Sequence, residues 1–459
     1  MTPSTNGLLD IPAHRTLPIV GDTIPFLLNQ RNWARRRWER MGPVSQMEFL
    51  GRKWVLLLGP DALEVAIVNR DKAFEPGPAW NFVNGAFFEG GLVYLGPQEH
   101  MQQRRIISKA FTRPHMETYL DGMQATIAEH LSRWERARDI LVYPETLRLI
   151  LGIATHTFAG MRLGADTERM TDAYIDCIRA STALIRQPVP GLRWSRGLRG
   201  RGVLLEIMRA QVAAKRADPG EDLLSRLCAA TDDEGVPLTD EQVVNHMIAM
   251  IHGAHETSST TVTSVMYQLA KHPEWMDRCR SESRALGPGG LRYDRLGELR
   301  ALDMVIREAL RLEAPVPLLA RMTVADTSVL GYRIPEGTLV AALPAFVHHM
   351  PEYWRDPELF DPMRFSAERS EDRVHKQAWA PFGAGLHLCI GQHFALMQIK
   401  AILHQALNRF EWSVDADYEL SWNRMAIPRP RDGFPLRLET ARRGSGDAQH
   451  RESSGQAIL

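Results

Sequence analysis

A chain of 459 residues that is 44% hydrophobic and 24% charged has the make-up of a globular protein with a large core. Its 55 Lys and Arg balance 55 Asp and Glu, so bulk electrostatics predicts neither nucleic-acid nor membrane binding. Cys177, Cys228, Cys279 and Cys389 are scattered, with no Cys-x-x-Cys pair, which speaks against zinc and disulfide frameworks and suits a reducing cytoplasm.

Residues 1–16 read as a disordered lead, without the basic start or apolar core of a signal peptide. No stretch approaches the ~20 apolar residues of a membrane span. Leu17-Pro18-Ile19-Val20-Gly21-Asp22 follows, marked by proline and glycine, and residues 32–41 form a basic helix candidate. Residues 45–50 and 53–58 alternate or run apolar around Gly51-Arg52, which predicts a β-hairpin, and 61–69 a helix. Residues 75–91 are broken by Gly77, Pro78, Gly85, Gly90 and Gly91 and made greasy by Trp80, Phe82, Phe87 and Phe88. The expectation is an apolar loop that packs on something.

A helix opens near Gly96-Pro97, and His100 and Arg104, four apart, share one of its faces. Taken alone, such a pair reads as a solvated polar face. Residues 116–163 are helical in pattern. Between Cys177 and Leu205 there is no acid, while Arg179, Arg186, Arg193, Arg196, Arg199 and Arg201 fall there. Pro188, Pro190 and Gly191 mark 186–202 as a linker. A helix over 222–227 and a turn at Asp232-Asp233-Glu234-Gly235 come next.

Residues 241–272 form a long helical pattern, apolar at Val243, Val244, Met247, Ile248, Met250 and Ile251, then again from Val262 to Leu269. Its middle, Gly253-Ala254-His255-Glu256-Thr257-Ser258, is poor helix design, since glycine costs ~1 kcal/mol against alanine. Such a defect inside apolar flanks needs a reason. Further on, Glu308 and Arg311 lie three apart on a helix, Pro315-Val316-Pro317-Leu318-Leu319 is apolar, and 329–343 reads as two strands around Pro335-Glu336-Gly337. Asp361-Pro362-Met363-Arg364-Phe365 precedes a string with three glycines and a lone cysteine, Phe382-Gly383-Ala384-Gly385-Leu386-His387-Leu388-Cys389-Ile390-Gly391. Glycines let a backbone wrap a sulfur and aim N–H groups at it. A largely apolar helix follows, and 441–459 reads as a disordered tail.

The string Phe-Gly-x-Gly-x-His-x-Cys-x-Gly resembles, without gaps, the heme-binding loop of the cytochrome P-450 family. Three further motifs resemble the family's in the same order: Glu256-Thr257 on the long helix, Glu308-x-x-Arg311, and Pro362-x-Arg364-Phe365. The resemblance implies one mainly α domain with a smaller β part over residues 17–440, of the soluble bacterial type. It implies Cys389 as the axial thiolate of heme b, with Phe382, Gly383, His387, Gly391 and Ala254 around the cofactor. His100, Arg104, Arg321 and His348 would serve the heme propionates. Glu256 would help deliver protons and Thr257 would hydrogen-bond oxygen, on a helix that opens beside the heme; His255 fills a variable position. The family order Ala/Gly-Gly is reversed here as Gly253-Ala254, and methionine replaces the usual glutamate at 363. Glu308, Arg311 and Arg364 would close a buried structural triad.

Residues 75–91 would then lie over the distal face, with Trp80, Phe82, Phe87 and Phe88 toward the substrate pocket. Met250, Gly253, Val316 and Leu318 would line it too, as would Met425 and Ile427 from a late turn. Residues 186–202 would link the two lid helices and touch a membrane surface or an acidic substrate or carrier.

The implied activity is a heme-thiolate monooxygenase that hydroxylates or epoxidises a lipophilic molecule such as a terpenoid, sterol, fatty acyl or polyketide compound. The chain carries no Gly-x-Gly-x-x-Gly fingerprint and no clustered cysteines. Electrons from NAD(P)H would therefore come through a separate ferredoxin or flavodoxin and its reductase. A cytoplasmic monomer is expected. A peroxide-driven peroxygenase or a dehydratase of the same fold would usually lack the Glu-Thr pair, and a non-enzymatic heme sensor is the third alternative.

Overall fold

Apolar residues at helical spacing and those in short alternating runs settle into two large cores, with a third, small cluster of Trp354, Phe365 and Ala378. The structure is a computed structural model that describes residues 9–13, 21–49, 51–161, 164–181, 183, 185–424 and 427–441. Residues 1–8, 14–20 and 442–459, and with them most of the expected lead and tail, lie outside the described residues, as do Met425 and Ala426.

The smaller core forms around a sheet. Helices α1 (Thr23–Leu28) and α2 (Gln30–Met41) lead into β1 (Val44–Phe49) and β2 (Arg52–Leu57). These pair antiparallel with Met47 opposite Trp54, the hairpin that alternation predicts. Helix α3 (Pro60–Val68) starts on a proline, whose missing N–H is no loss in a first turn. Strand β3 (Phe74–Glu75) then gives way to α4 (Pro76–Trp80) and α5 (Ala86–Phe88), joined by a π turn over Asn81–Gly85. The loop expected over 75–91 is therefore mostly helical. Pro76 sits at a helix start, where it initiates rather than breaks.

The larger core is helical. It comprises α6 (Pro97–Ser108), α7 (Arg113–Ala137), β4 (Asp139–Leu141), α8 (Val142–Ala159), α9 (Ala165–Ser181), α10 (Arg193–Ala217) and α11 (Leu223–Ala229). Then come α12 (Asp240–Lys271), α13 (Pro273–Ala285) and α14 (Arg300–Leu312). A capping box between Thr239 and Gln242 fixes where α12 begins, and its apolar residues are buried on both sides of the 253–258 step.

The arginine-rich segment also departs from expectation. Arg193, Arg196, Arg199 and Arg201 belong to α10, and only the residues before it connect helices. Arginine and leucine favour helix. Gly197 lets α10 press on α9: a Cβ there would lie 2.4 Å from that of Ala180. Arg201 is buried and bonds Asn245, and Arg186 donates to the Phe82 and Ser181 carbonyls. Arg193, Arg196 and Arg199 remain exposed.

The C-terminal third returns to the sheet with β5 (Leu319–Thr323), β6 (Thr327–Val329), β7 (Tyr332–Ile334) and β8 (Leu339–Ala342). The main sheet runs β1-β2-β8-β5-β3, with β2 and β8 parallel, so it ties the N-terminal hairpin to the far end of the chain. After α15 (Pro344–Val347), α16 (Gln392–Arg409) enters the helical core. The chain ends in β9 (Phe410–Trp412), β10 (Trp422–Asn423), β11 (Arg429–Pro430) and β12 (Pro435–Thr440). Among the described residues, no helix is long and apolar enough to cross a membrane.

Candidate active site

The cysteine loop is built by backbone contacts. The Cys389 N–H donates to the Phe382 carbonyl at 3.0 Å, and the Leu388 N–H to that of Gly385 at 3.2 Å. Gly385, at φ +66°, presses on α3: a Cβ would stand 2.8 Å from the carbonyl oxygens of Ile67 and Val68. Arg104 on α6 donates Nη2 to the Leu388 carbonyl at 2.6 Å. Cys389 has accessible surface, yet it sits in a recess where burial pushes its thiol pKa up. The Gly391 N–H, bonded to the sulfur, and the Arg104 charge pull the other way. That is an environment in which a bound cation would take the proton's place.

Basic groups gather beside this loop. The His100 and His387 rings lie 4.1 Å apart, centroid to centroid. Burial and Arg104 hold His100 down to about 4, and burial, His100, Arg321 and Arg104 hold His387 down to about 3. Arg321 is buried on β5, where desolvation lowers its pKa to about 10 against the favourable charge of Glu75. Glu75, whose own pKa burial raises, has an oxygen 3.9 Å from His387 Nε2. Sequence reasoning passed over Glu75, although an acid inside a greasy run was a signal.

His348 does not join this group. It is fully buried, its Nε2 accepts from the Ala380 N–H at 3.1 Å, and the charges acting on it are His349, Arg311 and Arg31. It belongs with the network beneath the loop. There Arg311 donates Nε and Nη2 to the two Glu308 oxygens at 2.7 and 2.8 Å, and Arg364 donates Nε to Glu308 at 3.3 Å. Arg311 also holds the His348 and Pro357 carbonyls, each at 2.7 Å. Arg364 has a second partner, Glu371, at 2.9 Å. The network thus pins the segment that leads into Cys389.

On α12, Gly253 is exposed between the half-buried His252 and Ala254, and a Cβ there would meet nothing within 4 Å. Thr257 donates its hydroxyl to the Gly253 carbonyl at 2.7 Å. The helix stays one element from Asp240 to Lys271, so the expected opening is replaced by this back-bond. Glu256 is buried, and desolvation pushes its carboxyl up to about 7 while Arg429 acts to lower it. His255 is buried as well, with its pKa held down to about 4 by desolvation.

Among the expected pocket residues, Trp80, Phe82, Met250, Val316, Leu318 and Ile427 are half-buried, as is Ala254, expected beside the cofactor. Leu319, next in the chain, places the 316–319 stretch at the cysteine loop: its Cδ1 is 3.9 Å from where a Gly383 Cβ would stand. Phe87 and Phe88 instead belong to the helical core. Phe88 stacks on His252 at 3.8 Å and Phe87 packs edge-on to Trp194 at 4.8 Å, because α5 is clasped between α12 and α10.

Among the described residues no group of three or more His, Cys, Asp or Glu could hold a metal ion. Iron at Cys389 would therefore come with most of its ligands supplied, as a porphyrin supplies them, and the desolvated His100, Arg104, His387 and Arg321 suit two carboxylates. A cysteine set in a recess beside such a cluster is the arrangement that a heme-thiolate enzyme needs. Residues 12–194 and 200–434 match the family model described as Cytochrome P450, and the chain belongs to that family. It is thus an oxidoreductase of the monooxygenase type. Putative cytochrome P450 136 of Mycobacterium tuberculosis is 40% identical over 442 residues, 95% of this chain and 90% of that one. Sterol 14alpha-demethylase of Mycolicibacterium vanbaalenii is 27% identical over 391 residues, 83% of this chain and 86% of that one. The solved structure of retinoic acid bound cyanobacterial CYP120A1 has a TM-score of 0.85 at 26% identity, covering 95% of this chain and 100% of that one.

Proposed function

We propose that Cys389 is the thiolate ligand of a heme b iron and that the chain inserts one oxygen atom from O2 into a C–H bond or alkene of a lipophilic molecule. The observation that carries this reading is the placement of Cys389, sulfur bonded by the Gly391 N–H, beside the basic cluster of Arg104, His100, His387 and Arg321. When bound, the heme supplies the oxidising chemistry, and a thiolate ligand favours O–O cleavage. His100, Arg104, His387 and Arg321 would hold its carboxylates, while Glu256 and Thr257 move protons beside the exposed backbone at Gly253.

The names of two relatives, a sterol demethylase and a protein bound to retinoic acid, support a terpenoid- or sterol-sized substrate. The half-buried Trp80, Phe82, Met250, Val316, Leu318 and Ile427 would supply an apolar lining. Electrons would come from NAD(P)H through a ferredoxin or flavodoxin and its reductase, to a monomer in the cytoplasm. The three exposed arginines of α10 would meet an anionic membrane surface or carrier.

The test is turnover by the heme-loaded protein, first with ferredoxin, reductase and NADPH and then with peroxide alone, after a screen for substrate-induced Soret shifts. Product from the reductase system supports the reading. Product from peroxide alone would make the chain a peroxygenase, a reading that the Glu256-Thr257 pair disfavours.

A further inference from the structure

The β10–β11 hairpin has two residue pairs, Trp422 opposite Pro430 and Asn423 opposite Arg429, and stands apart from the main sheet. A two-stranded ladder that short is marginal by itself, so side-chain anchors must fix where its connecting end lies. Two are in place. At one foot, the Pro428 carbonyl accepts from the Thr260 hydroxyl of α12 at 2.7 Å, one turn past Thr257. At the other, Arg424 forks onto Glu313: Nε donates to one carboxylate oxygen at 2.8 Å and Nη2 to the second.

Glu313 directly follows α14 and starts the run to Leu319, which reaches the cysteine loop. Its side chain is 7% exposed, against 30% for Arg424. A second guanidinium shares the carboxylate. Arg31 of α2 approaches it at 3.4 Å and also donates to the Leu312 carbonyl. Arg31 thus ties α2 to the end of α14, and Arg424 ties the hairpin to the same point. Losing Arg424 leaves the buried Glu313 a counter-charge in Arg31, so the fold should survive that change. What is lost is the anchor at one foot of the hairpin.

We propose that Arg424 is a positioning residue for substrate specificity: its fork on Glu313 holds Ile427 at a set distance from Val316 and Leu318, and so fixes the width of the pocket offered to a bulky substrate. This rests on the reading of those three side chains as pocket lining given above. Thr260 keeps the Pro428 foot on the helix that carries Thr257, so removing the fork frees the Ile427 end while the Pro428 end stays. A bulky ligand that needs this wall in place loses affinity, and a ligand too small to touch it does not.

The test uses the heme-loaded, full-length protein and two azoles whose nitrogen binds heme iron, imidazole and the far bulkier econazole, each titrated by the shift of the Soret band. In Arg424→Gln the econazole dissociation constant should rise about fivefold or more, while imidazole affinity and heme content stay at wild-type values. Arg424→Lys keeps the charge without the fork and should fall between the two. Ile427→Ala should also weaken econazole, and adding Arg424→Gln to it should cost little further, because both act through one side chain. Equal losses for imidazole and econazole, or heme lost from both Arg424 variants, would make the pair merely structural and overturn the proposal. A weakened Ile427→Ala beside an Arg424→Gln protein with wild-type econazole affinity would overturn the Arg424 inference alone. Econazole affinity unmoved in Ile427→Ala would overturn both this inference and the pocket role given to Ile427.

Discussion

Glu308 and Arg364, 56 residues apart, meet at 3.3 Å with side chains 0% and 1% exposed. With Arg311 they join α14 to the segment that leads into the cysteine loop. Glu308→Ala would leave Arg311 buried without its counter-charge, while Arg364 keeps Glu371. Breaking a buried pair costs ~3–5 kcal/mol. Urea unfolding should show a loss of that size, with little heme-loaded protein recovered; wild-type stability would mean the network is dispensable.

Gly385→Ala should fail locally. The new methyl would meet two carbonyl oxygens of α3 at a φ that disfavours side chains. Heme content per chain should fall, while far-ultraviolet dichroism stays near wild type. Full heme content would show that the loop can shift without consequence.

Glu256 should leave a signature in the dependence of stability on pH. Burial raises its folded pKa from 4.5 to about 7. Between those values the folded state binds the extra proton, so stability falls as pH rises through this window and levels off above it. The span corresponds to roughly 3 kcal/mol. Glu256→Gln should therefore gain about that much on the wild type between pH 4.5 and pH 8, as read from denaturant midpoints. Parallel curves would place the carboxyl in solvent.

Thr257→Ala removes a hydroxyl and installs a better helix former, so the fold and heme binding should persist. Product per NADPH should drop at least about tenfold as peroxide accumulates. Unchanged coupling would take Thr257 out of the chemistry.

What the sequence made legible follows from the range of the interactions. The β1–β2 hairpin and α12 rest on local periodicity, and both stand where that signal puts them. Glu308, Arg311 and Arg364 came together because the family string orders them. The helices at 76–80 and 193–201 escape a reading that treats glycine and proline as breakers, because Pro76 and Pro78 fall in the first turn of α4 and Pro188, Pro190 and Gly191 all precede α10. His348 was misplaced because its partners, Ala380 and Arg311, lie distant in the chain. Arg424 meets Glu313 across a still longer separation, which leaves no trace in any local pattern.

The most direct measurement is the spectrum of the reduced, CO-bound protein. If Cys389 is the thiolate ligand, the wild type shows the strongly red-shifted Soret band and Cys389→Ser loses it while retaining heme. A red-shifted band that survives in Cys389→Ser would contradict the central assignment.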